Sequence, residues 1–103
     1  MPIAEISVIP VGTPTISISN YVAEAVKVVD RSGLKYRVSP MGTSVEGEVT
    51  VIFEIVRQMH EICFAKGAQR VVTTVILDDR RDKAATMESK IKSVSEKAGL
   101  EIG

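Results

Sequence analysis

Residues 40–48, Pro-Met-Gly-Thr-Ser-Val-Glu-Gly-Glu, contain the side chains best suited to chemistry in this sequence of 103 residues. Thr43 and Ser44 carry hydroxyl groups, and Glu46 follows Thr43 by three positions. A carboxylate close to hydroxyl groups can hold a ligand that donates hydrogen bonds. The alternative is an ordinary strand glutamate that pairs with Arg37 across a hairpin, beside a threonine and a serine that serve only the turn and the strand. Both interpretations are open at this point.

A charged segment, Asp78–Lys83 (Asp-Asp-Arg-Arg-Asp-Lys), is the second candidate because it leads into a predicted helix. Arg80, Arg81 and Lys83, next to the free backbone amides of a helix start, could hold an anion such as a phosphate group. The aspartates of the segment could instead pair with these cations and cap the helix themselves. The segment would then be an internal salt network.

The only histidine, His60, and the only cysteine, Cys63, do not lie in a catalytic arrangement. His60 borders a helical apolar stripe outside any triad-like setting, so a structural or solvent-exposed role is predicted. Cys63 lies on the stripe and is predicted to be a small core residue. A single cysteine cannot form an internal disulfide or a Cys-x-x-Cys metal site, and no metal or cofactor is predicted.

The composition limits the classes of partner. The chain has 13 basic and 13 acidic residues, which argues against a nucleic-acid-binding protein because phosphate neutralisation needs a basic surplus or a basic face. No apolar run approaches the roughly 20 residues of a membrane helix, and the N-terminal residues do not resemble a signal peptide. With 45% hydrophobic and 25% charged residues, the chain is predicted to be a soluble cytoplasmic protein.

The elements that position these side chains follow from the spacing of apolar residues. Alternation predicts a first strand, and a helical repeat of valine and alanine begins after Ser17 or Ser19, either of which could cap the helix. The predicted strands are 3–11, 34–40, 43–47 and 70–77, and the predicted helices are 17 or 19 to 32, 50–66 and 83–98. Right-handed crossovers fold this β-α-β-β-α-β order into a ferredoxin-like α+β sandwich with an antiparallel four-stranded sheet and an extra C-terminal helix, one domain over residues 1–103.

Two long helices can cover only one face of such a sheet. The face predicted to be covered contains Ala4, Ile6, Val8, Tyr36, Val38 and Val45. The other face contains Ile3, Glu5, Ser7, Ile9, Val11, Arg37, Ser39, Ser44 and Glu46, with either Val72, Thr74 and Ile76 or Val71, Thr73 and Val75. Large exposed apolar patches usually meet a partner, so a homo-oligomer that stacks sheet on sheet is predicted. It would enclose the polar residues of this face in a small pocket with apolar walls.

Three segments of the chain resemble the small thiamine-binding (YkoF-like) protein family, in the same order and over nearly the whole length. They are Ile-Pro-Val-Gly-Thr at 9–13, Tyr-Arg-Val-Ser-Pro-Met-Gly-Thr-Ser-Val-Glu-Gly-Glu at 36–48, and Arg-Val-Val-Thr-Thr-Val-Ile-Leu-Asp-Asp-Arg-Arg-Asp-Lys at 70–83. The most specific pieces are Pro40–Gly47 and Asp78–Lys83. Neither piece is a catalytic signature.

The resemblance implies ferredoxin-like subunits that form homo-oligomers, dimers joined into tetramers, and that bind thiamine or its hydroxymethylpyrimidine part without turning it over. Thr43 and Glu46 match a motif beside the family's pocket. Ser7, Gly12 and Thr13 are weaker matches on the first strand. The serine-rich entry and the tyrosine of the family's first helix are matched by Ser17, Ser19 and Tyr21.

The mechanism predicted from these matches is a ring held between apolar side chains and oriented by Glu46, Thr43 and Ser7. The first alternative is a structural or regulatory homo-oligomer without a physiological small ligand. A second alternative, an enzyme that uses Glu46 as a general base, lacks an evident second catalytic group.

Overall fold

A computed structural model describes residues 1–13 and 18–102 and contains the predicted order of elements. The first helix of the chain begins with no side-chain cap, because its N-cap is Ile18, so the predicted capping by Ser19 is wrong. The other predicted cap, Ser17, lies outside the described residues. The elements are β1 (Ile3–Pro10), α1 (Ser19–Ser32), β2 (Tyr36–Ser39), β3 (Gly42–Glu46), α2 (Val49–Ala65), β4 (Val71–Asp78) and α3 (Met87–Ala98).

The four strands form one antiparallel sheet in the order β2-β3-β1-β4, as the ferredoxin-like prediction requires. The register pairs Ala4 with Val45 and Ile6 with Thr43 on one side of β1, and Ile6 with Val75 on the other. Since directly paired residues project from the same face of a sheet, Thr43 shares a face with Val45. Neighbouring residues along a strand project from opposite faces.

Helices α1 and α2 cover the face of the sheet that carries Ala4, Ile6 and Val8. The core lies between these two helices and the sheet. Apolar residues recur at helical spacing along both helices, which is why one side of each helix is buried. The buried residues of the two helices are Ala25, Val28, Val29, Ile52, Ile55, Met59 and Cys63. Val45 completes this layer from β3. The predicted covered face is therefore confirmed, except that Val38 at the β2 edge stays half exposed.

His60 and Cys63 both have structural roles, as predicted. The Nδ1 atom of His60 lies 2.7 Å from Oγ1 of Thr73 on β4, and its ring packs edge-on against Phe64 with the centroids 5.2 Å apart. Cys63 is fully buried in the core, and burial raises the pKa of its thiol. These contacts tie α2 to the core and to β4.

The opposite face of the sheet, which we call the open face, is covered by neither α1 nor α2. Pairing of Glu5 with Ile76 and of Ile9 with Val72 places Val72, Thr74 and Ile76 there, which settles the choice for β4 that the sequence left open. Ile9, Val72 and Ile76 are all exposed, Ile76 to 65%. An apolar surface of this kind on a small chain is typical of a binding or assembly surface.

Helix α3 begins at Met87, four residues later than the predicted start at Lys83. The reason is a reciprocal cap: the backbone N–H of Ser89 donates to Oγ1 of Thr86 at 2.9 Å, and the N–H of Thr86 donates to the hydroxyl of Ser89 at 2.9 Å. This capping box satisfies two amides that a helix start otherwise leaves free. The run of charges at 78–83 thus precedes the helix by several residues.

Candidate functional site

A cavity of about 240 Å³ lies between helix α1 and the β2–β3 hairpin, and we call it the hairpin cavity. Its walls are predominantly apolar and come from β1, α1 and the hairpin. Met59 of α2 also lines the cavity. Val38 and Met41 are 51% and 85% exposed, so they mark the side on which the cavity opens to solvent. The residues with the largest apolar side chains on these walls are Ile6, Val8, Ile9, Ile18, Val22, Val26, Val38, Met41 and Met59.

Thr43 is the polar side chain best placed in the hairpin cavity. It is only 3% exposed, and its side chain projects from the covered face toward α1 because it pairs with Ile6. The Thr43 side chain takes part in none of the hydrogen bonds of the described residues, and none of their fully buried side-chain oxygen atoms lacks a partner, so this hydroxyl is accessible from the cavity. A nearly buried hydroxyl on an apolar wall is stabilised by a ligand or water that hydrogen-bonds to it.

Ser44, one residue later, projects from the open face instead. Its hydroxyl donates a short hydrogen bond to the Oε2 atom of Glu5 on the neighbouring strand. The same carboxylate lies over Gly42, where a Cβ atom would be only 2.5 Å from Oε1 of Glu5 and 2.9 Å from the backbone oxygen of Ile6. Glycine at this position therefore makes room for the Glu5 carboxylate at the centre of the open face.

Glu46 does not lie in the hairpin cavity. It is only 8% exposed, and its Oε1 atom accepts a short hydrogen bond from the backbone N–H of Met87, the first residue of α3. A carboxylate at this point also opposes the positive end of the helix dipole. Beside it is a separate depression of about 290 Å³ lined by Tyr36, Arg37 and Glu88 among others. The contact makes Glu46 an anchor for α3, a role that neither sequence interpretation included.

The remaining predicted ligand residues lie apart from one another. Ser7 borders the hairpin cavity but pairs with Thr74, which directs its side chain to the open face. Gly12 has a left-handed φ of 73° just after β1, and Thr13 follows it at the edge of the described residues. Tyr21 packs against the core from α1. The structure thus brings Ser7 and Thr43 to the hairpin cavity and leaves Ser44 and Glu46 elsewhere.

The arginines of the charged segment pair with its own aspartates. Arg80 contacts both carboxylate oxygens of Asp82 at 2.6 and 2.9 Å, and Arg81 binds Asp79 at 2.7 and 3.0 Å. These hydrogen bonds lower the pKa of Asp79 and of Asp82. Lys83 is exposed beside them. Because α3 starts at Met87, its N-terminal amides are not adjacent to these cations, and the geometry favours the internal salt network.

Sequence reasoning placed Glu5 on the open face but missed the hairpin cavity and the contacts of Glu5 with Ser44 and Gly42. The cavity lies between Val22 and Val26 of α1 on one side and Val38 and Met41 of the hairpin on the other. No local sequence pattern predicts a space between these two elements. For Glu5 a signal was available: it is the only acid on β1 and alternates with apolar residues. Gly42 pairs with Ser39 at the hairpin, and the position of the Glu5 carboxylate also requires a glycine there.

Residues 1–13 and 18–102 contain neither a cluster of metal-binding side chains nor a membrane-spanning helix. No group of three or more histidine, cysteine, aspartate or glutamate side chains there could hold a metal ion. None of the helices in that part of the chain is long and apolar enough to cross a membrane.

The fold and the cavity define a ferredoxin-like α+β protein with room for a small, mostly apolar ligand. The chain belongs to the thiamine-binding protein family, whose sequence model matches residues 4–95. The UPF0045 protein YqgV of Bacillus subtilis strain 168 is 44% identical over 99 residues, which cover 92% of this chain and 95% of the relative.

Solved structures show the same fold. The protein MJ1052 of Methanocaldococcus jannaschii superposes with a TM-score of 0.85 at 35% identity, over 92% of this chain and 96% of that one. TM0486 of Thermotoga maritima, named for a proposed part in thiamine biosynthesis or salvage, superposes with a TM-score of 0.76 at 25% identity, over 89% and 96%. The ferredoxin-like prediction and the family resemblance are both confirmed.

Proposed function

We propose that this chain is a non-catalytic binding protein for thiamine or its hydroxymethylpyrimidine part, and that the pyrimidine ring binds in the hairpin cavity. The observation that carries the proposal is Thr43, a residue only 3% exposed on the wall of an apolar cavity, whose hydroxyl is accessible from the cavity and makes no hydrogen bond within the described residues. Membership of the thiamine-binding family supplies the class of ligand.

The size of the hairpin cavity supports a single ring rather than the complete vitamin. Its volume of about 240 Å³ is below the roughly 300–1,000 Å³ of pockets that enclose drug-sized ligands. A flat aromatic ring can lie between the valine and isoleucine side chains of the sheet and α1, where it leaves water along with the walls. The rest of thiamine would extend past Val38 and Met41, the exposed residues at the opening.

The polar groups of an aminopyrimidine match the polar atoms available. Its ring nitrogens accept hydrogen bonds, and the hydroxyl of Thr43 can donate one while it also accepts from the exocyclic amine. Ser7 and Ser39 border the same cavity, but Ser7 directs its side chain to the open face and the Ser39 hydroxyl donates to the backbone oxygen of Gly42 at 3.1 Å. In this arrangement Thr43 orients the ring, and Glu46 contributes indirectly through its position at α3.

The protein is proposed to act as a homo-oligomer. The open face carries exposed isoleucine and valine at its centre, and β4 is an edge strand of eight residues with a free hydrogen-bonding edge within the described sheet. Long apolar edge strands and apolar sheet faces are covered in most soluble proteins. A second copy of the chain is the simplest cover for both surfaces.

Replacing Thr43 by valine is expected to weaken binding of hydroxymethylpyrimidine by about 3- to 10-fold. The two side chains have nearly the same shape, so the change removes one hydrogen bond, which is worth about 0.5–1.5 kcal/mol, while the cavity keeps its volume. Isothermal titration calorimetry of the wild-type and variant proteins with hydroxymethylpyrimidine and with thiamine measures the effect.

The matched control is Thr50→Val, which makes the same change at an exposed position in the first turn of α2, away from the cavity. It should leave the affinity unchanged. Equal loss in both variants, or undiminished affinity in Thr43→Val, would contradict the assignment of the ring to this cavity. Absence of heat for both ligands with the wild-type protein would favour the structural homo-oligomer instead.

A further inference from the structure

Helix α3 has an apolar stripe whose first two residues are half-buried and whose last two are exposed. Met87, Ile91, Val94 and Ala98 follow one another at helical spacing, yet no residue of α3 is buried, and Val94 is 55% exposed. Leu100, just beyond the helix, is 63% exposed. Isolated helices of about 12 residues are marginal in water and gain most of their stability by packing an amphipathic face. The stripe of α3 therefore calls for a partner.

The first turn of α3 is firmly attached, so the helix extends from the domain in a defined direction. Glu46 accepts the N–H of Met87, and Lys90 forms a salt bridge with Asp78 at the end of β4. Both acids are paired in register with Ile3, one on each neighbouring strand, and all three project from the open face. The helix thus starts on the open-face side of the sheet, at one end.

Two exposed apolar surfaces of the described residues, the open face and the exposed part of the α3 stripe, lie on this same side. Ile9, Val72 and Ile76 on the open face remain exposed even though α3 is attached nearby, so the helix of the same chain does not cover them. Their charges are also complementary. Glu5 is the acid at the centre of the open face, and Lys97 flanks the α3 stripe without a salt bridge to any other described residue.

We propose that α3 is an exchanged arm whose apolar stripe packs against the open-face side of a second copy of this chain, while the α3 of that copy packs reciprocally. A 12-residue helix is only about 18 Å long. One such contact is small compared with the roughly 1,200 Å² that a specific interface buries, and a two-fold exchange doubles it. The inference deepens the proposed homo-oligomer and is independent of the ligand.

Val94→Glu is expected to dissociate the oligomer, with a rise of at least tenfold in the dissociation constant, because it introduces a charge into the middle of the stripe. Light scattering across a concentration series measures this constant. Val51→Glu is the matched control, since Val51 is an exposed valine on α2, outside α3 and the open face; its oligomer should persist. A wild-type protein that is monomeric at high micromolar concentration, or a Val94→Glu protein that assembles normally, overturns the proposal.

Isotope mixing separates exchange from a fold-back within one chain. A photoreactive maleimide is attached to the thiol introduced by Val94→Cys, while the native Cys63 is shielded by complete burial. Equal amounts of ordinary and ¹⁵N-labelled protein are mixed, irradiated and digested. Exchange predicts cross-linked peptides that join light and heavy copies, ending in β1, β4 or the partner α3. Cross-links confined to one isotope overturn it. Calorimetry on Val94→Glu tests the ligand separately, and retained binding is expected.

Discussion

Replacing Glu46 by alanine should lower the free energy of unfolding by about 1.5–3 kcal/mol and release helix α3 from the domain. The carboxylate is almost buried and accepts a hydrogen bond from the Met87 N–H, and hydrogen bonds to charged groups contribute about this amount. Its loss leaves the first amide of α3 without an acceptor and removes the favourable interaction with the helix dipole. Urea denaturation measures the change, and faster hydrogen exchange throughout α3 would show its release.

Two further variants test whether the loss of stability is specific to the Glu46 carboxylate. Glu88→Ala removes another acid in the first turn of α3, but that side chain is 76% exposed and contacts Lys35 only at 3.5 Å, so stability should hardly change. Glu46→Gln keeps an amide oxygen that can accept from Met87 and should lie between wild type and alanine. If Glu46→Ala instead abolished ligand binding with unchanged stability and unchanged exchange in α3, Glu46 would be a ligand residue, as the sequence suggested.

Replacing Gly42 by alanine is the second change with a large expected effect, a loss of about 1–3 kcal/mol in unfolding free energy. The new Cβ would lie 2.5 Å from Oε1 of Glu5 and 2.9 Å from the backbone oxygen of Ile6, so both the carboxylate and the β1–β3 pairing must move. Displacing Glu5 also breaks its hydrogen bond with Ser44. Thermal or urea unfolding of the variant gives the magnitude.

A double-mutant cycle with Glu5→Ala isolates the contact between the two residues. Once the carboxylate is gone, Gly42→Ala meets only the backbone oxygen of Ile6 and should cost less than it does in the wild-type background. Strictly additive effects would show that the carboxylate does not rest on Gly42. Since Gly42 also borders the hairpin cavity, the affinity for hydroxymethylpyrimidine should fall in the single variant as well.

The fold could be predicted from the sequence because its signals are local. Alternation along β1, the helical stripe from Ile52 to Cys63 and the β-branched run of β4 each specify an element, and their order then leaves few topologies. The start of α3 could not be placed so easily. The conspicuous charges of 78–83 suggested a helix start, whereas the cap is made by Thr86 and Ser89, two ordinary residues whose pairing depends on the path of the chain.

The candidate site was predicted only in part, for a reason that is visible in β3. The family motif groups Thr43 with Glu46, but residues three apart in a strand project from opposite faces. Thr43 therefore points toward α1 and Glu46 toward the side of α3. The acceptor role of Glu46 joins residues 41 positions apart, which no sequence pattern encodes. Glu5 and Ser44, paired across two strands, became a polar pair only once the register was known.

Methyl NMR during a titration with hydroxymethylpyrimidine tests the central claim most directly, because it locates the ligand in the folded protein. Ring binding in the hairpin cavity predicts that the methyl signals of Ile6, Val22 and Val38 shift in a saturable manner together with that of Thr43, while those of Ile76 on the open face and Val94 on α3 do not. Shifts confined to Leu34 and Met87, beside Glu46, or no saturable shift at all, would contradict the account.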